Sequence, residues 1–318
     1  MRILVVALLA ACFSVPVCAQ TYPVKPVRVI VSYPAGGPTD VVARLLAEGL
    51  GENLKQPFVI ENRPGASGII GNAAVAKAPP DGYTLLFTVD TTLTVTPLTN
   101  PNTPFDPVQD FAPISMVLST VQGLVVNTSV PAANVEQLFA LAKKQPLSYV
   151  SGGVASPGHL AMLMLSLEAG LQTTHIAYKG IGQALPAVVS GDVPMLITPT
   201  QLVWPLVRSG KLRLLAVMGE KRSPKAPEVP TLLELGYKSA QNTIGNYIVL
   251  APAGTPAPIL EQIYKELGKV LAVPAVAARL DAMEVSPLND SPAETAARIK
   301  RDLAQWRSVI DRFQLKVE

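Results

Sequence analysis

The sequence predicts an α/β protein with two domains, and three observations lead to that prediction. The chain has 318 residues, a length at which one hydrophobic core usually gives way to two. Apolar residues make up 49% of the chain and charged residues only 15%, a balance typical of a globular protein. Short apolar runs recur along the chain, and each is followed by a glycine or proline turn and a helical pattern.

The first twenty residues have the pattern of an export signal. Arg2 provides a positive start, and residues 3–11 form an apolar run that is too short to span a bilayer. Small side chains around Cys18 predict cleavage after Ala19, which implies a periplasmic location. A lipoprotein signal that is cleaved before Cys12 is the alternative.

Composition excludes several classes of function. Cleavage after Ala19 removes both cysteines, Cys12 and Cys18, so the mature chain has no thiol nucleophile and no disulfide. The formal charge of the full sequence is only +3, and its basic residues are scattered. We therefore expect no nucleic-acid partner.

The first strand and helix of the predicted mature chain are well marked. A β-branched run that only Arg28 interrupts predicts a buried parallel strand at Val27–Val31. Glycines and a proline follow, and Thr39 or Asp40 is expected to cap a helix with an apolar face. Gly51 is expected to end that helix.

The alternation continues and restarts near the middle of the chain, which indicates a mainly parallel sheet followed by a second domain. Further strands are predicted at residues 58–60, 83–89, 123–127, 149–150, 176–178, 193–197 and 212–218. Helices are predicted at residues 65–76, 135–143, 157–170, 258–273 and 292–313. We expect Trp306, in the last of these helices, to be buried against the sheet.

The motifs of common enzymes are absent. GxxxxGK[ST] and GxSxG do not occur, and Gly65, Gly68 and Gly71 lack the Rossmann spacing. His159 and His175 are the only histidines, so we expect neither a metal site nor a cofactor. A Ser/His/Asp triad in a secreted α/β hydrolase stays open as a minor alternative, because its members need only meet in space.

Three glycine-rich turns, at residues 35–40, 151–156 and 179–182, each lie between a predicted strand and a helix. Free backbone N–H groups and the positive end of a helix dipole make such a turn an anion site. Ordinary strand-to-helix turns are the alternative interpretation. Because two of the turns fall in different domains, the pattern favours a carboxylate that is held between two lobes.

Three residues in or beside these turns have both a structural and a functional interpretation. Asp40 either caps its helix or accepts a hydrogen bond from a ligand. His159, in the first turn of its helix, either satisfies backbone groups or contacts the ligand. Lys179 is either a solvated loop residue or a ligand contact.

Motifs along the whole predicted mature chain, taken together, resemble one family. They include Lys25-Pro26-Val27-Arg28-Val29, Ala35-Gly36-Gly37 with Asp40, Glu61-Asn62-Arg63-Pro64-Gly65, Asp81-Gly82-Tyr83, Phe105-Asp106-Pro107, Gly158-His159-Leu160, Tyr178-Lys179-Gly180 and Ala251-Pro252-Ala253-Gly254. In order and spacing these are similar to the Bug-type extracytoplasmic solute receptors. Those receptors are the substrate-binding subunits of tripartite tricarboxylate transporters.

The resemblance implies a two-lobed periplasmic-binding-protein fold of the type II, Venus-flytrap kind, with a ligand cleft between two α/β domains. After a signal peptide at residues 1–19, domain I comprises residues 20–121 and 247–318, and domain II comprises residues 122–246. No catalytic residue, metal or cofactor is implied. The candidate ligand-binding residues are Tyr33, Ala35, Gly36, Gly37, Asp40, Thr88, Asp90, Thr91, Ser151, Gly152, Ser156, His159, Tyr178, Lys179 and Thr198.

The resemblance also implies partners: a small carboxylate ligand and the integral membrane subunits of a transporter. A sensor kinase is an alternative partner, since a receptor that serves signalling has the same sequence pattern. Departures from the family pattern at residues 161–164, Pro194, Thr198 and 246–248 change the chemistry of the cleft wall. A less charged or partly apolar carboxylate, aromatic or branched, is therefore an alternative to a dicarboxylate.

Overall fold

Two sheets, one of six strands and one of five, organise the part of the chain that this computed structural model describes, residues 22–219, 221–239 and 245–313. The predicted signal segment, with Cys12, Cys18 and the cleavage point after Ala19, lies outside the described residues. Helices cover both faces of each sheet, which is the layer arrangement of an α/β protein.

The six-stranded sheet, with the helices packed on it, forms what we call the first lobe. Its spatial order is β11-β4-β10-β3-β1-β2. Strands β1, β2 and β3 are parallel to one another, whereas β10, β4 and β11 are antiparallel to their neighbours. The strands are β1 Val27–Val31, β2 Phe58–Asn62, β3 Thr84–Val89, β4 Phe111–Thr120, β10 Asn246–Pro252 and β11 Val285–Pro287.

The five-stranded sheet forms the second lobe in the same way, with the order β7-β6-β8-β5-β9. Strand β6 is parallel to β7 and β8, and β5 is antiparallel to β8 and β9. Both sheets are therefore mixed, which corrects the expectation of mainly parallel pairing in the first. The strands are β5 Gln122–Asn127, β6 Leu147–Ser151, β7 Thr173–Ala177, β8 Met195–Pro199 and β9 Leu212–Met218.

The helices alternate with these strands. Those of the first lobe are α1 Pro38–Leu54, α2 Ile69–Ala76, α3 Thr91–Thr94, α4 Thr96–Thr99, α9 Ala257–Leu271, α10 Pro274–Ala282 and α11 Pro292–Phe313. Those of the second lobe are α5 Val135–Lys144, α6 Pro157–Ala169, α7 Ile181–Val189 and α8 Thr200–Arg208. A short 3-10 turn, Ala66–Gly68, precedes α2.

The first helix differs at both ends from its prediction. Gly37, with an extended backbone, is the N-cap, and Thr39 and Asp40 lie inside the first turn. The helix continues through Gly51 to Leu54 and ends at Lys55, whose φ of 56° is left-handed. Gly51 instead allows the chain that leaves the helix to pass close by, because a Cβ there would lie 3.3 Å from the Gln56 carbonyl oxygen.

Two chain crossings between the sheets lie side by side. One leads from β4 through Val121 to β5, and the other returns at Gly245 into β10. The Gly245 carbonyl accepts hydrogen bonds from Thr120 N, at 3.3 Å, and from Thr120 Oγ1, at 2.8 Å. We call this pair of crossings the hinge, because two adjacent strands of this kind allow lobes to rotate relative to each other.

An apolar cluster beside the hinge joins the two lobes. Trp306 of α11 is 6% exposed and lies in a cluster with Val95 of the first lobe and with Ala155 and Leu160 of the second. The prediction that Trp306 is buried is confirmed, but its partners are these interlobe residues rather than a sheet.

A buried carboxylate provides a second, polar link between the lobes. Glu284 precedes β11 in the first lobe and is 9% exposed. Its Oε2 accepts hydrogen bonds from Thr200 Oγ1, at 2.6 Å, and from Trp204 Nε1, at 2.7 Å, and its Oε1 accepts one from Ser223 Oγ. One carboxylate therefore satisfies three donors of the second lobe.

We expect Glu284→Ala to lower the free energy of unfolding by about 1–3 kcal/mol, because it leaves the buried Trp204 Nε1–H of α8 without an acceptor. Urea denaturation followed by circular dichroism measures this change. Glu261→Ala is the control, because the Glu261 side chain is about half exposed and pairs only with Lys265 on the surface. Equal stability of the two variants would contradict a structural role for the Glu284 bridge.

Candidate functional site

A cavity of about 430 Å³ lies between the lobes. The first lobe contributes the β1–α1 turn, residues 33–39, and the second contributes Gly152, the start of α6 and the start of α7. The hinge closes one end with Thr120, Gln122 and Gly245. The two glycine turns that the sequence places in different domains therefore do face one cavity.

Three helices begin at this cavity. Their N-caps are Gly37 for α1, Ser156 for α6 and Gly180 for α7, and in none of the three does a side chain form a capping hydrogen bond. Proline occupies the first position of α1 and α6 and fixes the backbone of both starts. The positive dipole ends and first-turn N–H groups of three helices thus converge on one space, an arrangement that suits an anion.

The wall of the cavity is electrically neutral. None of the described residues that line it carries a charged side chain. Apolar wall is provided by Val89, Ile181 and Ile197, and aromatic wall by Tyr33 and Tyr247. Burial raises the pKa of both tyrosines, so their hydroxyls keep their protons at neutral pH.

The two lobes touch at the rim of the cavity, where glycine is required. Gly180 has a φ of 147°, and a Cβ at this position would lie 3.0 Å from Pro34 Cγ of the other lobe. A larger residue would thus meet both backbone strain and a clash across the cleft. Pro34 and Gly180 form what we call the rim contact.

Asp40 lies behind the first glycine turn and holds its shape. Its Oδ2 accepts hydrogen bonds from Gly36 N and Arg44 Nε, both at 2.9 Å, and its Oδ1 accepts one from Asn62 Nδ2 at 2.9 Å. Burial opposes ionisation of this carboxyl, but the hydrogen bonds from Arg44, Gly36 and Asn62 outweigh burial and lower its pKa. Asp40 is thus a partner of the protein's own backbone, while Ala35, Gly36 and Gly37 line the cavity.

Ser156 is the side chain that most directly suits a ligand. It is 8% exposed, it lines the cavity, and its Oγ has no hydrogen-bond partner within the described residues. A buried hydroxyl without a partner is unfavourable unless a ligand or water satisfies it. Thr198 Oγ1 is also unpartnered, but its neighbours Ile197 and Pro199 form the wall.

Nine of the fifteen predicted residues do not line this cavity: Asp40, Thr88, Asp90, Thr91, Ser151, His159, Tyr178, Lys179 and Thr198. Thr88 is fully buried and its Oγ1 lies 3.2 Å from Thr92 Oγ1. Tyr178 packs in a core cluster of the second lobe, and Lys179 is exposed at the rim. Lys179 thus matches the interpretation as a solvated loop residue.

Asp90 and Thr91 line a different cavity, of about 320 Å³, between the end of β3 and α11. Asp90 Oδ2 accepts a hydrogen bond from Asn246 Nδ2 at 2.6 Å. Burial raises the pKa of the Asp90 carboxyl to about 6, against the opposing effect of the Asn246 hydrogen bonds. The end of β3 turns into α3 here, so these two side chains face α11 instead of the interlobe space.

Both histidines lie behind the second glycine turn. The rings of His159 and His175 stack with centroids 3.9 Å apart, and His159 Nδ1 accepts a hydrogen bond from Ala155 N. His175 Nε2 lies 2.7 Å from Ser151 Oγ, which is fully buried and also bonded to the Gly153 carbonyl. Burial lowers the pKa of His159 to about 3, with a further contribution from His175, and lowers the pKa of His175 to about 4.

Several lining residues were missed by the sequence analysis, among them Thr120, Gln122, Gln183 and Tyr247. Gln122 and Thr120 flank the crossing between lobes, a position that carries no motif. Tyr247 lies in a stretch that was noted only as a departure from the family pattern. The glycine pair at α7 could have revealed Gln183, because helix starts place their first side chains at the cavity.

No helix of the described residues is long and apolar enough to cross a membrane, and no group of three or more metal-ligating side chains occurs among them. Two α/β lobes with a cavity between them are the architecture of the periplasmic solute-binding proteins. A sequence model described as tripartite tricarboxylate transporter family receptor (TctC) matches residues 42–315. The chain belongs to this family.

Named relatives agree with the family match. Protein BugT of Bordetella pertussis is 35% identical over 300 residues, which cover 93% of this chain and 92% of BugT. The periplasmic binding protein BugD has a TM-score of 0.85 and 32% identity over 92% of this chain and 98% of its own. The predicted two-lobed α/β fold and the resemblance to Bug-type receptors are confirmed.

Two related structures contain carboxylates. MatC from Rhodopseudomonas palustris with bound malate has a TM-score of 0.83 and 28% identity over 91% of this chain and 100% of its own. An R. palustris protein with adipate has a TM-score of 0.86 and 31% identity over 91% of this chain and 97% of its own.

The histidine pair should make stability fall as pH drops from about 6.5 towards 4, because the unfolded chain binds protons in this window. The folded imidazoles stay neutral there, since burial lowers their pKa values. We expect His175→Gln to flatten this pH dependence of the free energy of unfolding, measured in urea. Lys179→Gln, an exposed control, should keep the slope of the unmodified protein. A His175→Gln slope as steep as the control's would refute the assignment.

Proposed function

We propose that this protein captures a small organic carboxylate between its lobes and delivers it to the integral membrane subunits of a tripartite tricarboxylate-type transporter. The observation that carries the proposal is the convergence of three uncapped helix starts on one cavity with a neutral wall. The carboxylates in the related structures, malate and adipate, support the ligand class.

The carboxylate is held by dipoles and hydrogen-bond donors rather than by a cation. Backbone N–H groups at the starts of α1, α6 and α7 and the free hydroxyl of Ser156 provide the donors. Such donors are fixed before the ligand arrives, so little reorganisation opposes binding. The apolar side chains Val89, Ile181 and Ile197 suit the carbon chain of the ligand.

Closure of the lobes about the hinge buries the ligand, and the protein forms no covalent bond with it. Ser151 and His175 form a serine–histidine contact, but Ser151 is fully buried and does not line the cavity. The low pKa values of both histidines also make them weak bases. These observations favour a receptor over the alternative hydrolase.

Export completes the proposed role. Cleavage after Ala19 releases the receptor into the periplasm, where the membrane subunits meet it. If the receptor serves uptake, deletion of the gene should abolish growth on the transported acid. Complementation with the unmodified gene, which encodes Ser156, should restore growth. Growth unchanged by deletion would favour a role in signalling to a sensor kinase.

Calorimetry against a panel of dicarboxylates, hydroxy acids and aromatic acids tests the proposal directly, and we expect saturable binding of one class. Ser156→Ala should weaken that binding by about tenfold or more, because a hydrogen bond to a charged group is lost. Ser190→Ala, at an exposed helix end, is the control and should bind normally. Absence of binding by every acid, including ligand sought by mass spectrometry of the native protein, would overturn the proposal.

A second variant tests the location of the ligand. Gly182 lies in the first turn of α7, lines the cavity, and has open space where a Cβ would be. We expect Gly182→Leu to obstruct the cavity and abolish binding, while its melting temperature stays within a few degrees of that of the unmodified protein. Gly182→Ala is the matched control, which should fold at least as well and retain most of its affinity. Full affinity in Gly182→Leu would place the ligand elsewhere.

A further inference from the structure

A buried amide lies at the hinge end of the cavity. Gln122 is 2% exposed and lines the cavity together with Thr120 and Gly245. Its Nε2 donates a hydrogen bond to Thr120 Oγ1 at a distance of 3.1 Å. The NH₂ end of the amide is therefore held by the protein.

The hydrogen-bond network fixes the orientation of the Gln122 amide relative to Thr120. Thr120 Oγ1 donates its single proton to the Gly245 carbonyl at 2.8 Å, so towards Gln122 it can only accept. The partner that it accepts from must be the NH₂ group of Gln122. A flipped amide would put two acceptors against each other, so Nε2 is the end towards Thr120 and Oε1 is the end that points away from it.

Gln122 Oε1 has no hydrogen-bond partner among the described residues. A carbonyl oxygen only accepts, so it repels a carboxylate and attracts a donor. The cavity thus has two chemically distinct ends. Helix starts and Ser156 offer donors to an anion, and the hinge end offers a single neutral acceptor.

The nature of the wall selects among possible donors. An ammonium group has three N–H bonds and a full charge, and no acidic side chain of the described residues lines the cavity to compensate it. A hydroxyl group has one proton and no charge, which matches one neutral acceptor. We propose that the captured ligand is a hydroxy acid whose hydroxyl donates to Gln122 Oε1. This inference rests on the proposed function, since it assumes a carboxylate at the helix starts.

Three acids with one carbon skeleton test the inference by calorimetry: 2-hydroxyglutarate, glutarate and glutamate. We expect the hydroxy acid to bind at least about tenfold more tightly than glutarate, because only it satisfies the buried acceptor. Glutamate should be the weakest of the three. Lactate, propionate and alanine form a shorter set with the same three substituents, in case the five-carbon acids exceed the cavity.

Two variants separate the acceptor from the anion end. Gln122→Met keeps a similar length without the carbonyl and should reduce the affinity for the hydroxy acid to that for the unsubstituted acid. Ser156→Ala should weaken both acids by the same factor and leave their ratio unchanged. Thr120→Val is the second variant if Gln122→Met does not fold, because it frees the amide to turn and should also lower the ratio.

Each outcome decides a different claim. Equal affinity of the hydroxy and unsubstituted acids in the unmodified protein would overturn this inference and leave the proposed function in place. An unchanged ratio in Gln122→Met would likewise assign the preference to another residue. Tighter binding of glutamate than of 2-hydroxyglutarate would mean that the donor to Gln122 is an ammonium group rather than a hydroxyl. That result would overturn this inference. Lack of binding by any carboxylate would overturn the proposed function and this inference together.

Discussion

The hinge depends on the hydrogen bonds between Thr120 and the Gly245 carbonyl. They join the two places where the chain passes between sheets, and so fix the distance between the lobes at one end of the cavity. The same hydroxyl sets the orientation of Gln122. Thr120 thus takes part both in the hinge and in the orientation of Gln122 at the hinge end of the cavity.

The proposed binding of an anion without a cation has physical advantages for a receptor that must also release it. A salt bridge that is buried in the closed state loses much of its attraction to desolvation, and its strength varies with the surroundings. Helix dipoles and backbone donors are part of the fold and lose little entropy on binding. The charged side chain of Asp40 does not line the cavity. Its hydrogen bonds to Gly36, Arg44 and Asn62 stabilise the β1–α1 turn.

The sequence predicts those elements whose pattern is local. Strand β1 is a β-branched run that only Arg28 interrupts, and the start of α6 has a serine followed by proline, so both were located correctly. Strand β4 was missed because Pro113 and two serines interrupt its apolar residues, and its pairing with β10 joins segments that are far apart in the chain. The short helix α3 was missed too, since four threonine-rich residues have no helical periodicity.

For the site, the backbone was easier to predict than the side chains. Glycine turns at residues 35–37 and 152 reveal themselves by composition, and they do line the cavity. Asp90 and Thr91 face another cavity because the chain turns into α3 directly after β3. Gln122 has no sequence signal, because its role arises only from a hydroxyl and a carbonyl that the fold brings beside it.

The rim contact has a kinetic consequence. Pro34 and Gly180 meet only through van der Waals contact, worth a few tenths of a kcal/mol for so few atoms. The apolar cluster around Trp306 and the Glu284 bridge also join the lobes, and they involve more atoms than the rim contact. The rim contact therefore adds little to the stability of the closed state. We expect the dissociation rate of the ligand to depend mainly on the ligand's own contacts with the cavity wall.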